Sequence, residues 1–113
     1  MGEVLECPWC RSCADLKAAG DSGVGLRTVF PWVSEPDRAV TVLCDQDTDG
    51  GGWTVIQKRN YVEHVDRVNF TRTWVEYQEG FGNLSVDGEF WIGLDLIHHL
   101  TEILGLQVCM LLY

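Results

Sequence analysis

Three aspartates at alternate positions, followed by three glycines, occur in the stretch CDQDTDGGGW at residues 44–53. The same spacing opens an EF-hand calcium loop, in which oxygens at alternate positions bind the ion and a glycine makes the turn. Such a loop closes on a glutamate at its twelfth position, where this chain has Ile56 when counted from Asp45. The flanking residues are β-branched and aromatic and favour strands, whereas an EF-hand requires helices. The stretch therefore predicts a hairpin turn, and we expect no metal-binding residue in it.

A second kind of chemistry is offered by five cysteines: Cys7, Cys10, Cys13, Cys44 and Cys109. Cys7 and Cys10 form the CxxC motif CPWC, which suits either thiol-redox exchange or a zinc site. A redox CxxC follows a strand and begins a helix, and too few residues precede Cys7 for that strand. A zinc site needs four ligands, and no second CxxC or HxxxH completes one.

We therefore expect residues 1–12 to be a linker or stalk remnant. In this interpretation Cys7, Cys10 and Cys109 are interchain or free thiols, and a disulfide-linked oligomer could form through Cys7 or Cys10. The alternative is a small thiol-redox or zinc protein that uses the CPWC cluster.

Two asparagines lie in N-glycosylation sequons, Asn69 in Asn-Phe-Thr and Asn83 in Asn-Leu-Ser. With the cysteines, they favour an oxidising, extracellular location, although the first residues do not have the pattern of a secretory signal. The sequence places no histidine near any of its loop-like serines, so it indicates no catalytic constellation, and we expect a protein that is not an enzyme.

The composition limits the partners. With 17 acidic and 8 basic residues among 113, the formal net charge is -9, which repels phosphate backbones and anionic membrane surfaces. No apolar run is long enough to span a membrane. The length allows one domain with a hydrophobic core, and we expect neither nucleic acid nor a membrane span.

The elements that position these residues follow from local patterns. CADLKAAG predicts a short helix that ends at Gly20, and AVTVLC and WTVIQKR predict two strands joined by the Asp-Gly turn. A helix over TRTWVEYQEGF would carry a buried stripe of Trp74, Tyr77 and Phe81. GEFWIGL predicts a strand, Asp95 is expected to cap a helix over LIHHLTEIL, and the apolar run at residues 106–113 would require a neighbouring strand.

These segments, in this order, resemble the fibrinogen C-terminal-like domain, also called the fibrinogen-related domain. The resemblance rests on CADL, SGV, CDQDTDGGGWTVIQKR, FTRTWVEYQEGFGNLS and GEFWIGLDLIHHLT. It implies an α+β fold, with a small disulfide-linked N-terminal sheet and part of a central antiparallel sheet flanked by short helices. It also implies a disulfide between Cys13 and Cys44.

The resemblance further implies an extracellular, non-enzymatic recognition protein similar to ficolins, tachylectins, tenascins or angiopoietins. Such a parent would be a lectin-like binder of acetylated sugars in innate immunity, or a matrix or signalling ligand that binds cell-surface proteins. Domains of this family are about twice as long, and their calcium site and ligand pocket lie in the C-terminal half. We therefore expect residues 13–113 to be the N-terminal half of such a domain in a truncated product, with no cofactor and no ligand-binding residue.

Overall fold

A computed structural model describes residues 7–59 and 67–103 of the chain. These residues form short α-helices and two three-stranded antiparallel sheets, with strand orders β1-β2-β3 and β4-β6-β5. The helices are α1 (Cys13–Ala18), α2 (Trp74–Glu79) and α3 (Leu94–Ile103). The strands are β1 (Val24–Val29), β2 (Val40–Asp45), β3 (Trp53–Thr54), β4 (Gln57–Lys58), β5 (Phe81–Gly82) and β6 (Phe90–Trp91). The α+β class expected from the sequence is confirmed.

The first sheet is built on the long pair β1 and β2, whose register runs from Val24 opposite Asp45 to Val29 opposite Val40. Both strands are rich in β-branched residues, which suit a pleated surface with one buried face. Val29 and Val42 are fully buried on that face, with 0% exposure. These residues of the sheet form one core cluster with Leu16 of α1 and with Leu96 and Leu100 of α3.

The predicted single strand over residues 53–59 is divided between the two sheets. Its first part, β3, pairs with β2, and its second part, β4, pairs with β6. The amide of Val55 still donates to the carbonyl of Leu43 at 2.9 Å, whereas the carbonyl of Ile56 accepts from the amide of Ile92 at 2.9 Å. The partner strand therefore changes between two adjacent residues. β-propensity is similar on both sides of that point, so the sequence does not reveal the change.

The end of α1 is where the sequence predicts it. Gly20 has a φ of 108°, and the amides of Gly20 and Asp21 donate to the carbonyls of Lys17 at 3.0 Å and Leu16 at 2.9 Å. This is the Schellman arrangement, which satisfies the last carbonyls of a helix and favours glycine at the left-handed position.

Helix α2 is shorter than predicted, and its aromatic stripe is only partly buried. A capping box between Thr73 and Glu76 begins the helix, and Gly80, with a φ of 95°, ends it before Phe81. Trp74 is 69% exposed, so its predicted burial is wrong. Tyr77 and Phe81 are partly buried and stack edge to face with centroids 5.1 Å apart.

Helix α3 begins at Leu94, and Asp95 lies in its first turn instead of at the expected N-cap position. The strand predicted over residues 88–94 is reduced to Phe90–Trp91, because the chain enters the helix directly afterwards. Leu96 and Leu100 are 9% and 3% exposed and pack into the core formed with the first sheet. The apolar run at residues 106–113 lies outside the described residues.

The segment before α1 is packed into the domain, which corrects the expectation of a linker or stalk over residues 1–12 for its described part. Cys7, Cys10 and Ser12 are 6%, 0% and 2% exposed, and both cysteines belong to the core cluster. The amide of Phe30, directly after β1, donates to the carbonyl of Cys10 at 2.9 Å. The packed unit therefore begins at least six residues before Cys13, since Cys7 is already part of its core.

Candidate functional site

Two of the residues singled out by their chemistry, Cys13 and Cys44, meet where α1 lies beside the end of β2. Cys13, the first residue of α1, is joined to Cys44 of β2 by a disulfide with a Cα–Cα distance of 5.5 Å. Both cysteines are 0% exposed. This is the pair that the family resemblance implies. Because the bond closes a loop between residues 31 apart in sequence, the chain-entropy model assigns it about 3–4 kcal/mol of stabilisation.

Cys7 and Cys10 differ from the expectation of interchain or free thiols, because the structure joins them to each other with a Cα–Cα distance of 5.3 Å. The physical reason is local. The amide of Cys10 donates to the carbonyl of Cys7 at 3.1 Å, and this turn brings the two side chains together. Neither sulfur is then available for a bond to a second chain. Cys109 lies outside the described residues.

Gln46 connects three segments around the Cys13–Cys44 disulfide. Its side-chain nitrogen donates to the carbonyl of Cys13 at 2.9 Å and to the Asp21 carboxylate at 3.2 Å. Its side-chain oxygen accepts from the amide of Gly52 at 2.6 Å. Gln46 is only 2% exposed. Sequence reasoning missed this residue, because nothing in its local pattern distinguishes a buried amide from a turn residue.

Residues 45–52, which we call the acidic turn, form a bend that contains a short 3-10 helix, Thr48–Gly50. One oxygen of the Asp45 carboxylate accepts from the amides of Asp47 and Thr48, both at 3.0 Å, and the other accepts from the Thr48 hydroxyl at 2.6 Å. Burial raises the pKa of Asp45, but the hydrogen bonds from Thr48 and Asp47 outweigh burial and hold that pKa below its ordinary value. The Asp45 carboxylate therefore stabilises the start of the acidic turn through three hydrogen bonds.

The other aspartates of the acidic turn point elsewhere. The Asp47 carboxylate accepts from the amide of Gly23 at 3.1 Å and so ties the turn to the start of β1. Asp49 is exposed and has a φ of 42°, the left-handed conformation that aspartate tolerates in turns. The turn predicted from the Asp and Gly residues is confirmed, although it is longer than a two-residue hairpin.

Arg27 adds an ionic contact on the outer side of the site. Its guanidinium pairs with the Asp21 carboxylate at 3.1 Å and donates to the carbonyls of Leu26 at 3.0 Å and Ser22 at 3.1 Å. β1 lies at the edge of its sheet. Since unpaired edge carbonyls invite pairing with another strand, the guanidinium blocks part of this edge.

The two sequon asparagines lie away from the disulfides, near the second sheet. Asn69 is exposed in the segment that leads to α2, and Asn83 is exposed directly after β5. The amide of Asn83 donates to the carbonyl of Glu89 at 2.8 Å, and the Glu89 carboxylate accepts from the amide of Val68 at 2.9 Å. Glu89 therefore fixes the backbone beside both sequons.

Within residues 7–59 and 67–103, no group of three His, Cys, Asp or Glu side chains could hold a metal ion. His98 and His99 each lie 3.7 Å from a Glu102 carboxylate oxygen on α3, and His99 also contacts the Trp32 ring with centroids 5.6 Å apart. None of the helices in the described part of the chain combines the length and apolar character that crossing a bilayer requires.

Comparison with known proteins identifies the protein family to which this chain is similar. The family described as "Fibrinogen beta and gamma chains, C-terminal globular domain" matches residues 9–112. Angiopoietin-4 of Mus musculus is 42% identical over 95 residues, which are 84% of this chain and 17% of angiopoietin-4. The fibrinogen-like globe domain of human ANGPTL6 is 36% identical with a TM-score of 0.70, over 90% of this chain and 41% of that one.

A lamprey fibrin D-dimer, solved with the peptide ligand Gly-His-Arg-Pro-amide, is also similar. It is 37% identical with a TM-score of 0.65, over 81% of this chain and 27% of its own. The chain belongs to the fibrinogen C-terminal domain family, as the sequence resemblance indicated. It spans well under half the length of these relatives, 17% of angiopoietin-4 and 41% of the ANGPTL6 chain.

Proposed function

We propose that this chain supplies the disulfide-linked framework of an extracellular recognition domain, and that the ligand pocket of such a domain lies outside the chain. One observation carries the proposal. The side chains of Asp21, Asp45, Gln46 and Asp47 all make hydrogen bonds within the framework. Polar groups that already hold the fold together are poorly suited to bind a ligand, because binding would break these contacts.

The parent protein would bind its partner without catalysis. The similarity to angiopoietin-4 favours a matrix or signalling ligand that contacts cell-surface proteins. The similarity to a fibrin D-dimer that holds a peptide ligand also favours recognition of a protein segment. Lectin-like binding of acetylated sugars in innate immunity is the other partner class that we propose for the parent, with calcium held outside this chain.

An extracellular location is part of the proposal. The described residues contain two disulfides, Cys7–Cys10 and Cys13–Cys44, with all four cysteines buried. Structural disulfides form and persist in oxidising compartments and are rare in the cytosol. The two bonds therefore support secretion of the mature protein.

An affinity column that carries acetylated sugar tests the framework proposal. The oxidised full chain is loaded in calcium buffer, beside a column that carries the same sugar without the acetyl group. We expect the chain to pass through both columns unretained. Retention on the acetylated resin, reversed by free acetylated sugar, would contradict the proposal, because the chain would then hold a pocket of its own.

A thiol-redox function of the CPWC motif is a second candidate, and the Cys7–Cys10 disulfide is the observation that favours it. The surroundings do not activate a thiol in the usual way, since α1 begins at Cys13 and Cys7 is not at a helix N-terminus. The four described cysteines are bonded in pairs, which leaves no thiolate among them for zinc. Catalytic turnover of insulin reduction with dithiothreitol, lost in a C7A/C10A variant, would establish this function in place of the first.

A further inference from the structure

We infer that Asn69 is the N-glycan acceptor of this chain, and that Asn83 is unmodified in the folded protein. The inference shares only the secretory route with the proposed function. In the modification, the side-chain nitrogen of asparagine attacks the anomeric carbon of an oligosaccharide carried on a lipid diphosphate. A carbon–nitrogen bond forms, the bond from the anomeric carbon to the diphosphate oxygen breaks, and the amide proton goes to a base of the transferase.

The geometry around Asn69 leaves that nitrogen accessible. Asn69 and Thr71 are exposed, whereas Phe70 between them is partly buried. Phe70 packs edge to face on Phe81 with centroids 4.9 Å apart, and the Arg59 guanidinium lies 3.9 Å from the Phe70 centroid. The middle residue of the sequon thus anchors the segment, and the residues on either side of it face solvent.

The Asn69 side chain is held by its oxygen alone. This oxygen accepts from the amide of Thr71 at 2.9 Å, and none of the hydrogen bonds among the described residues uses the side-chain nitrogen. The Arg72 guanidinium donates to the Asn69 carbonyl at 2.7 Å, and the amide of Val68 donates to the Glu89 carboxylate at 2.9 Å. These contacts fix the backbone on both sides of Asn69, and the residue itself is exposed, so a bulky glycan can be accommodated there.

Asn83 is also exposed, but its side chain has a different environment. Its side-chain nitrogen faces the buried Gly88, since a Cβ built on Gly88 would lie 3.0 Å from that nitrogen and closer still to the Ser85 hydroxyl. The amide of Asn83 also donates to the Glu89 carbonyl at 2.8 Å. A sugar on this nitrogen would begin beside the backbone of the buried Gly88, so we expect the folded turn at residues 83–88 to hinder the modification.

The test is site-specific glycan occupancy. The full chain is fused to a secretion signal and produced in eukaryotic cells. Glycans are released by peptide N-glycosidase in heavy-oxygen water, which labels each formerly modified asparagine, and peptides from the medium and from the cell fraction are read by mass spectrometry. We expect the label at Asn69 in both fractions, and no label at Asn83 in the medium.

Two matched variants complete the design. N69Q should abolish the glycosidase-sensitive gel shift, whereas N83Q should leave it unchanged. Absence of the label at Asn69 in both fractions would overturn the inference, and so would equal labelling of both asparagines in the medium. Retention on the acetylated-sugar column is independent of this readout, so the two proposals can fail separately.

Discussion

The side-chain nitrogen of Gln46 donates a hydrogen bond of 2.9 Å to the carbonyl of Cys13, directly beside the disulfide that joins Cys13 to Cys44. One covalent and one polar link therefore connect α1 to the same end of β2. The side-chain oxygen of Gln46 accepts from the backbone amide of Gly52. Gln46 therefore contacts both α1 and the acidic turn.

Replacement of Gln46 by leucine should lower the free energy of unfolding by about 2–4 kcal/mol, because a buried carbonyl at Cys13 and a partly buried amide at Gly52 lose their partner. Urea denaturation of the oxidised chain measures the change. Q57L is the matched control, since Gln57 is exposed on β4 and its replacement should cost less than about 0.5 kcal/mol. Equal losses in the two variants would show that Gln46 has no special role.

Removal of the two disulfides should have unequal effects. The chain-entropy model gives about 4 kcal/mol for the long loop between Cys13 and Cys44, and about 2 kcal/mol for the short loop between Cys7 and Cys10. All four cysteines are buried, so the double variants C13A/C44A and C7A/C10A lose similar side-chain volume. Unfolding midpoints in urea measure the difference. A larger loss in C7A/C10A would contradict the expectation that the Cys13–Cys44 disulfide stabilises the chain more than the Cys7–Cys10 disulfide does.

Acid should destabilise the acidic turn through Asp45. Its pKa is lower in the folded chain than the ordinary 3.8, so the stabilisation is present at pH values above that figure and is lost as the pH falls through the folded value. We therefore expect D45N to reduce the loss of stability between about pH 6 and about pH 3. Urea denaturation at each pH measures this loss.

The control for that pH series is D49N, which removes a carboxylate from the same acidic turn but keeps the hydrogen bonds from Thr48 to Asp45. Its acid dependence should follow that of the unmodified chain. If D45N and the unmodified chain lose stability in parallel, the depressed pKa of Asp45 does not contribute to acid sensitivity.

Alanine substitutions at two glycines of the acidic turn distinguish the cost of backbone strain from the cost of steric overlap. Gly50 and Gly51 have φ values of 84° and 78°, so alanine at either position is strained. A Cβ at Gly51 would also collide with the carbonyl of Gln46, whereas one at Gly50 would meet nothing within 4 Å. G50A should cost about 1–2 kcal/mol and G51A should cost distinctly more. Similar thermal unfolding midpoints for both would place the cost in the backbone conformation alone.

Local chemistry was enough to predict several elements. The end of α1 follows from good helix formers followed by a glycine, and the acidic turn follows from Asp and Gly between β-prone segments. The residue at the twelfth position, Ile56, has no side-chain oxygen, and for that reason the sequence favours a turn over an EF-hand loop. These features depend on residues that are close together in the sequence.

The features that the sequence did not reveal depend on distant contacts. Gln46 acts through Cys13, Asp21 and Gly52, and none of these partners can be read from its neighbours. The aromatic periodicity predicted burial of Trp74 on the assumption that the helix reaches Phe81, but Gly80 ends it earlier. The expectation of free or interchain thiols at Cys7 and Cys10 depends on residues 1–12 being a linker, whereas residues 7–12 pack against the end of β1.

The change of partner between Val55 and Ile56 has a structural consequence. The two sheets are connected through adjacent residues, since the amide of Val55 donates to the carbonyl of Leu43 and the carbonyl of Ile56 accepts from the amide of Ile92. Hydrogen bonds to β2 and next to β6 are thus made one residue apart, with no loop between them. The peptide bond between Val55 and Ile56 is therefore the junction at which the disulfide-linked sheet continues into the second sheet.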